Sequence, residues 1–146
     1  MTTRAPAAPI LVFAAAFTGC ITLIPDRYYI VEADVAVELA TRSGRVLLDV
    51  RPPADYAVEH AAGAMSIPLS QLWARMDEIP LRRSTLVIVY DDDDARALRA
   101  ASRLHDEGYG QVHVFRGGLS AWVRADGKTT SGDAPAPGYG RGVETW

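Results

Sequence analysis

Residues 86–96, Leu-Val-Ile-Val-Tyr-Asp-Asp-Asp-Asp-Ala-Arg, constrain the fold more than any other stretch of this chain. Five apolar, mostly β-branched residues end at Asp91, and Ala97-Leu98-Arg99-Ala100-Ala101 opens a helical pattern. That reads as a buried strand, a short loop and a helix N-terminus. In α/β proteins this junction, outside the carboxyl end of a strand, is where ligands and catalysts sit. Here it carries four carboxylates and no nucleophile, which suggests a catalytic scaffold without its catalyst.

The rest of residues 27–126 repeats the same alternation. Strands are expected at Tyr28–Val31, Val46–Val50, Met65–Leu69 (an edge or strand end, given Pro68), Leu86–Tyr90 and Val112–Phe115. Helices are expected at 36–40 with Asp34 as cap, at 54–59 after Pro52-Pro53, near 71–78, at 96–107 with Gly108 ending it, and at 119–124 after Gly117-Gly118. Strands and helices at this spacing predict an α/β domain with a mostly parallel sheet covered on both faces.

Two further regions flank this domain. Between Arg4 and Asp26 lie 21 uncharged residues, strongly apolar from Ile10 to Ile24. As a helix they span roughly 30 Å, one hydrocarbon core. No face is polar, so a helix lying in the membrane surface fits poorly. Residues 1–26 are therefore read as a single-pass N-terminal anchor, with residues 6–25 against lipid. A cleaved signal, a lipoprotein signal ending at Cys20 and a buried segment of the domain are the competing readings. The apolar Ile21-Thr22-Leu23-Ile24 after Cys20 argues against the lipoprotein. Arg4 precedes the segment, whereas Asp26 and Arg27 behind it cancel, which favours a cytoplasmic N-terminus and a periplasmic domain. Residues 127–146 hold five Gly and two Pro without apolar periodicity and read as an extended tail; Tyr139 and Trp146 could dock on a partner.

A net charge of −3 and a pI near 5.5 give no basic footprint for nucleic acid. Cys20 is the lone cysteine, so neither an internal disulfide nor a cysteine zinc cluster can form. Four consecutive Asp could attract a divalent cation, but consecutive side chains diverge and no glycine supplies a tight ligand loop. A water-exposed acidic helix cap is the favoured reading, and neither metal nor cofactor is expected. His105 and His113 lack companions at metal spacing, and Trp73, beside Leu72 and Met76, reads as packing.

Over about 100 residues the central domain resembles the rhodanese-like (sulfurtransferase) family. Leu48-Asp49-Val50-Arg51, with Tyr56 and His60, is similar to its first signature. Glu59-His60-Ala61-Ala62-Gly63-Ala64 keeps the His, Gly and Ala of that signature but loses its first Gly and its Ile-Pro. Ser66-Ile67-Pro68, the strand Val87–Tyr90, Gly108-Tyr109, Val112 and Gly117-Gly118-Leu119-Ser120-Ala121-Trp122 follow in the family's order. The resemblance implies a three-layer rhodanese-like fold behind the N-terminal helix. It also implies local structural roles for Asp49, Arg51 and His60.

In active members a cysteine follows the Tyr and carries a persulfide cradled by the N–H groups of a six-residue loop. Such a thiolate needs its charge stabilised by those N–H groups and the helix N-terminus. Here the position is Asp91, and the degenerate loop runs Asp91, Asp92, Asp93, Asp94, Ala95, Arg96. A carboxylate cannot accept sulfane sulfur, and Arg96 is expected to pair with its acidic neighbours. The resemblance thus implies a catalytically silent variant; with the missing thiolate, the apolar segment of spanning length and the tail, the chain reads as a membrane-anchored binding protein or accessory subunit of a larger membrane complex. The alternative is a degenerate sulfurtransferase, or a secreted lipoprotein-type rhodanese, working with a partner's thiol.

Overall fold

Apolar runs and amphipathic helices alternate along this chain because each strand must bury both faces and each helix one. The computed structural model describes residues 28–80 and 84–134. The apolar segment 1–26, and Tyr139 and Trp146 of the tail, lie outside the described residues. In chain order the elements are β1 (Tyr29–Val31), α1 (Ala33–Leu39), β2 (Arg45–Asp49), α2 (Pro53–Val58), β3 (His60–Ala61) and β4 (Met65–Ser66). Two single-turn 3-10 helices follow at Leu69–Gln71 and Met76–Glu78. Then come β5 (Leu86–Tyr90), α3 (Asp94–Asp106), β6 (Gln111–Phe115), α4 (Gly118–Arg124) and β7 (Thr129–Thr130).

Five strands form one sheet in the order β1-β6-β5-β2-β4, every neighbour parallel. All five residues of the central β5 are buried, as a strand covered on both faces requires. Alternation sends Val87 and Val89, with Leu48, Val112 and Val114, into one core beside α3. Leu86, Ile88 and Tyr90, with Leu47 and Phe115, enter the other beside α1 and α4. Helix α3 buries Ala97, Ala100, Ala101 and Leu104, a stripe at helical spacing. Three small alanines in that stripe let the helix sit close on the sheet.

Three local expectations are corrected. Asp34 does not cap α1: Glu32 holds that position without a side-chain bond, and Asp34 lies in the first turn, where its carboxylate accepts the Val35 N–H. Residues 71–78 do not form one helix. Arg75 (φ −117°, ψ 12°) breaks the ladder between two 3-10 turns, and the segment closes where Tyr109 Oη donates to the Ile79 carbonyl at 2.9 Å. Trp73 is no packing residue: it is 67% exposed, because Leu72 takes the inward position.

At the carboxy-terminal end of the domain, residues 128–130 join the fold. Thr129–Thr130 pairs antiparallel with His60–Ala61, and the Ala62 N–H and Trp122 Nε1–H both donate to the Lys128 carbonyl. Gly127 permits this return, since a Cβ there would lie 2.3 Å from the Trp122 indole.

Candidate functional site

The carboxyl ends of β2 and β5 lie side by side, with Asp49 paired in register to Tyr90. Both side chains point to the α1/α4 face and are fully buried. Asp49 accepts from the Arg51 backbone N–H, Nε and Nη2 at 2.7–3.1 Å, and from Tyr90 Oη at 2.5 Å. Burial, then the charge and hydrogen bond of Asp49, push the Tyr90 phenol far above its ordinary range. Desolvation works against the Arg51 cation, but the hydrogen bond and charge of Asp49 outweigh it and raise its pKa. Tyr90 Oη in turn accepts the Ala61 N–H, so the network ties β2 and β5 to β3.

Above this network runs the acidic loop. The expectation of four water-exposed cap residues fails for Asp91, which is fully buried. Coming one residue after Tyr90, it turns to the opposite face of the sheet. There it accepts from Arg96 Nε at 3.0 Å, Arg96 Nη2 at 2.7 Å and the Asp93 N–H at 2.8 Å. The hydrogen bond to Asp91 holds the Arg96 guanidinium above its usual pKa. Asp93 is the N-cap of α3, its carboxylate accepting the Ala95 and Arg96 N–H groups; both donors belong to helix ends that need such a partner.

Asp92 and Asp94 turn the other way, to the start of α4. Asp92 accepts the Leu119 N–H at 2.9 Å and Arg51 Nη1 at 3.2 Å; Asp94 accepts the Gly117 N–H at 3.0 Å. The approach is close enough to require glycine at 118 (φ +58°), where a Cβ would lie 2.2 Å from Asp92 Oδ1 and 2.6 Å from its Cα. The loop carboxylates thus bind the amino-terminal N–H groups of two helices and two guanidinium groups. They diverge, and among the described residues no three His, Cys, Asp or Glu side chains gather as a metal site.

Beside the loop lies an open cleft of about 560 Å³, lined by Arg51, Asp92, Leu119, Ser120, Val123 and Arg124. Sequence reasoning did not join α4 to the loop: Asp92 and Leu119 are 27 positions apart. The Gly117-Gly118 pair was the available signal, as a place where backbone comes close. His60 is stacked on Tyr56 at 3.6 Å, with Nδ1 against the Tyr56 carbonyl at 2.8 Å. Those contacts are local and structural.

A parallel five-stranded sheet with this loop at the end of its central strand defines the class, and comparison with known proteins gives the same answer. The rhodanese-like domain profile matches residues 32–125, and the chain belongs to that family. It is 37% identical over 86 residues, 59% of this chain and 78% of the relative, to a protein of Allochromatium vinosum named sulfurtransferase. Among solved structures it is similar to the Alr3790 protein from Anabaena sp., with a TM-score of 0.64 and 29% identity over 70% of this chain and 80% of that one. It is also similar to thiosulfate sulfurtransferase from Pseudomonas aeruginosa, with a TM-score of 0.61 and 37% identity over 71% of this chain, although the match takes in 20% of that protein.

Proposed function

We propose that this rhodanese-like domain does not transfer sulfur and acts by binding, held at a membrane by residues 6–25 as an accessory subunit of a larger assembly, with the domain on the periplasmic side. The observation that carries the reading is the state of Asp91. At the end of β5, where active relatives would need a thiolate, stands a carboxylate bonded to Arg96 and to the Asp93 N–H. Neither Asp91 nor its neighbours can take up sulfane sulfur. The Asp93 carboxylate also occupies two N–H groups at the start of α3 that would otherwise face an incoming anion. Four loop carboxylates opposed by the guanidinium groups of Arg51 and Arg96 leave an excess of negative charge that disfavours thiosulfate further.

The test is a thiosulfate:cyanide assay on the full chain, which should run at the protein-free rate. Turnover by the wild type above that rate overturns the reading. The Asp91→Cys variant separates two origins of silence: acquired turnover would assign it to the missing nucleophile alone. A second reading, a sulfurtransferase completed by a partner's thiol, is favoured by the names of the Allochromatium and Pseudomonas relatives. It predicts turnover once a thiol-bearing partner is added. Native electrophoresis of gently solubilised membranes, with mass spectrometry of the band, tests the subunit role; migration as a lone small protein removes it.

A further inference from the structure

The end of the domain opposite the acidic loop carries an apolar groove that neither the fold nor the proposed function uses. We propose that the domain stands on the bilayer with the amino ends of its strands toward the lipid, the Trp73 groove at the headgroup level and the Asp91–Asp94 loop facing away. The proposal rests on the membrane-anchor reading of residues 6–25.

Three observations carry it. The first is the point of entry. Described residues begin at Tyr28, directly before β1, whose register with β6 (Tyr29 with His113) sets Tyr28 at the amino end of the parallel sheet. Its side chain packs on the core beside α3, the same core that Met76 and Tyr109 join. The second is the length of chain outside the structure. The uncharged segment ends at Pro25, three residues before Tyr28. Three residues reach at most about 11 Å, so a helix crossing the bilayer up to Pro25 holds this end of the sheet against the membrane surface. From Tyr28, which the register sets level with Val87, β5 carries the acidic loop about 13 Å farther out.

The third is the surface found at that end. Trp73, Met76, Ile79, Pro80 and Tyr109, flanked by the carboxylates Asp77 and Glu107, line a groove of about 430 Å³ between the 3-10 segment and the carboxy-terminal end of α3. Tyr109 Oη fixes its floor by donating to the Ile79 carbonyl. Trp73 leaves two thirds of its surface uncovered. An indole with an apolar body and an N–H donor suits the water–lipid boundary, where Trp concentrates in membrane proteins. Asp77 and Glu107 in its lining suit zwitterionic rather than anionic lipid. The consequence for function is directional: the acidic loop and the adjoining Arg124 cleft are presented to a partner standing off the membrane, not to lipid.

The experiment uses the full chain in phosphatidylcholine nanodiscs containing lipid with a nitroxide quencher near the headgroup. The chain has three tryptophans, of which Trp122 is buried in the opposite layer. Wild type and Trp146→Phe should both be quenched, and Trp73→Phe should lose about half or more of that quenching. Equal quenching of Trp73→Phe and wild type overturns the orientation. So does an unquenched wild type, the result expected if the groove is filled by the chain's own apolar segment or by a protein. Extraction with alkaline carbonate separates the two readings: release overturns the anchor and the orientation with it, whereas retention with Trp73 unquenched overturns the orientation alone.

Discussion

Two buried carboxylates at the carboxyl end of the sheet each hold an arginine, and the burial of the cation, not of the anion, sets what each pair is worth. Asp49 and Asp91 are both fully buried. Arg51 is 3% exposed, whereas the Arg96 side chain is 37% exposed. In Asp49→Asn the amide keeps the shape but turns donors toward Arg51 Nη2 and Tyr90 Oη, which already donate there. The guanidinium then keeps one carboxylate, Asp92 at 3.2 Å, itself half exposed. Stranding a buried charge costs about 3–5 kcal/mol. In Asp91→Asn the freed guanidinium swings into water, and the loss is limited to weakened bonds at the loop, about 1–2 kcal/mol. With a urea slope of about 2 kcal/mol per M, the midpoint should fall by about 2 M in the first variant and by less than about 1 M in the second. Urea titration of the purified chain, followed by far-UV circular dichroism, reads both. An Asp91→Asn shift as large as that of Asp49→Asn, or an Asp49→Asn cost below about 1 kcal/mol, refutes the argument that access of the cation to water sets the cost.

Gly118→Ala should destabilise by about 2 kcal/mol or more, because the clash is with the backbone of Asp92 and the positive φ is strained in addition. Gly44→Ala, at φ +72° with open space around it, isolates the strain alone and should cost about 1 kcal/mol; equal costs in the two variants would remove the close approach of α4 to the loop as the cause. His113 stacks on Tyr29 with its Nδ1 buried and unbonded, and burial, then nearby Arg42, lower its pKa despite a backbone hydrogen bond at Gln111. The folded state therefore binds this proton less readily than the unfolded chain, so the contribution is whole above about pH 6.5 and is lost as pH falls through the lowered folded value. His113→Phe should lose less stability than wild type between pH 7.5 and pH 5.5, read from denaturant midpoints at both; an unchanged difference would acquit His113.

Most of the layered architecture was legible because it rests on short-range patterns. Val46–Val50 against the observed Arg45–Asp49, Leu86–Tyr90 unchanged and Val112–Phe115 against Gln111–Phe115 show that a buried β-branched run announces its strand within a residue. Gly108, at φ +98°, ends α3 as its position suggested. Failures came where local signals were satisfied by more than one structure. The 69–79 segment has apolar residues at helical spacing, yet two 3-10 turns bury the same Leu72 and Ile79. Trp73 has the chemistry of a core residue, and only the position of its neighbours leaves it outside. The β3–β7 pairing joins residues 70 apart with nothing local to mark it.

At the site the division is sharper. The sequence by itself determined that the loop after β5 is acidic, lacks a thiol and precedes a helix, because these follow from residue identity and from contacts within a few positions. It also determined the family, through motifs whose order survives without geometry. The pairing of Arg96 with an acidic neighbour and the helix cap were also legible, being local; the tertiary structure alone decided which carboxylate is buried and which ones clasp α4. A charge in a chain carries no information about its partner's distance in sequence. Folding set Arg51 and the α4 N–H groups beside Asp92, and Arg96 over a carboxylate it had already buried. Four adjacent aspartates, alike on paper, became one buried ion pair, one helix cap and two clasps on α4, because the turn out of β5 and into α3 aims successive side chains at different partners.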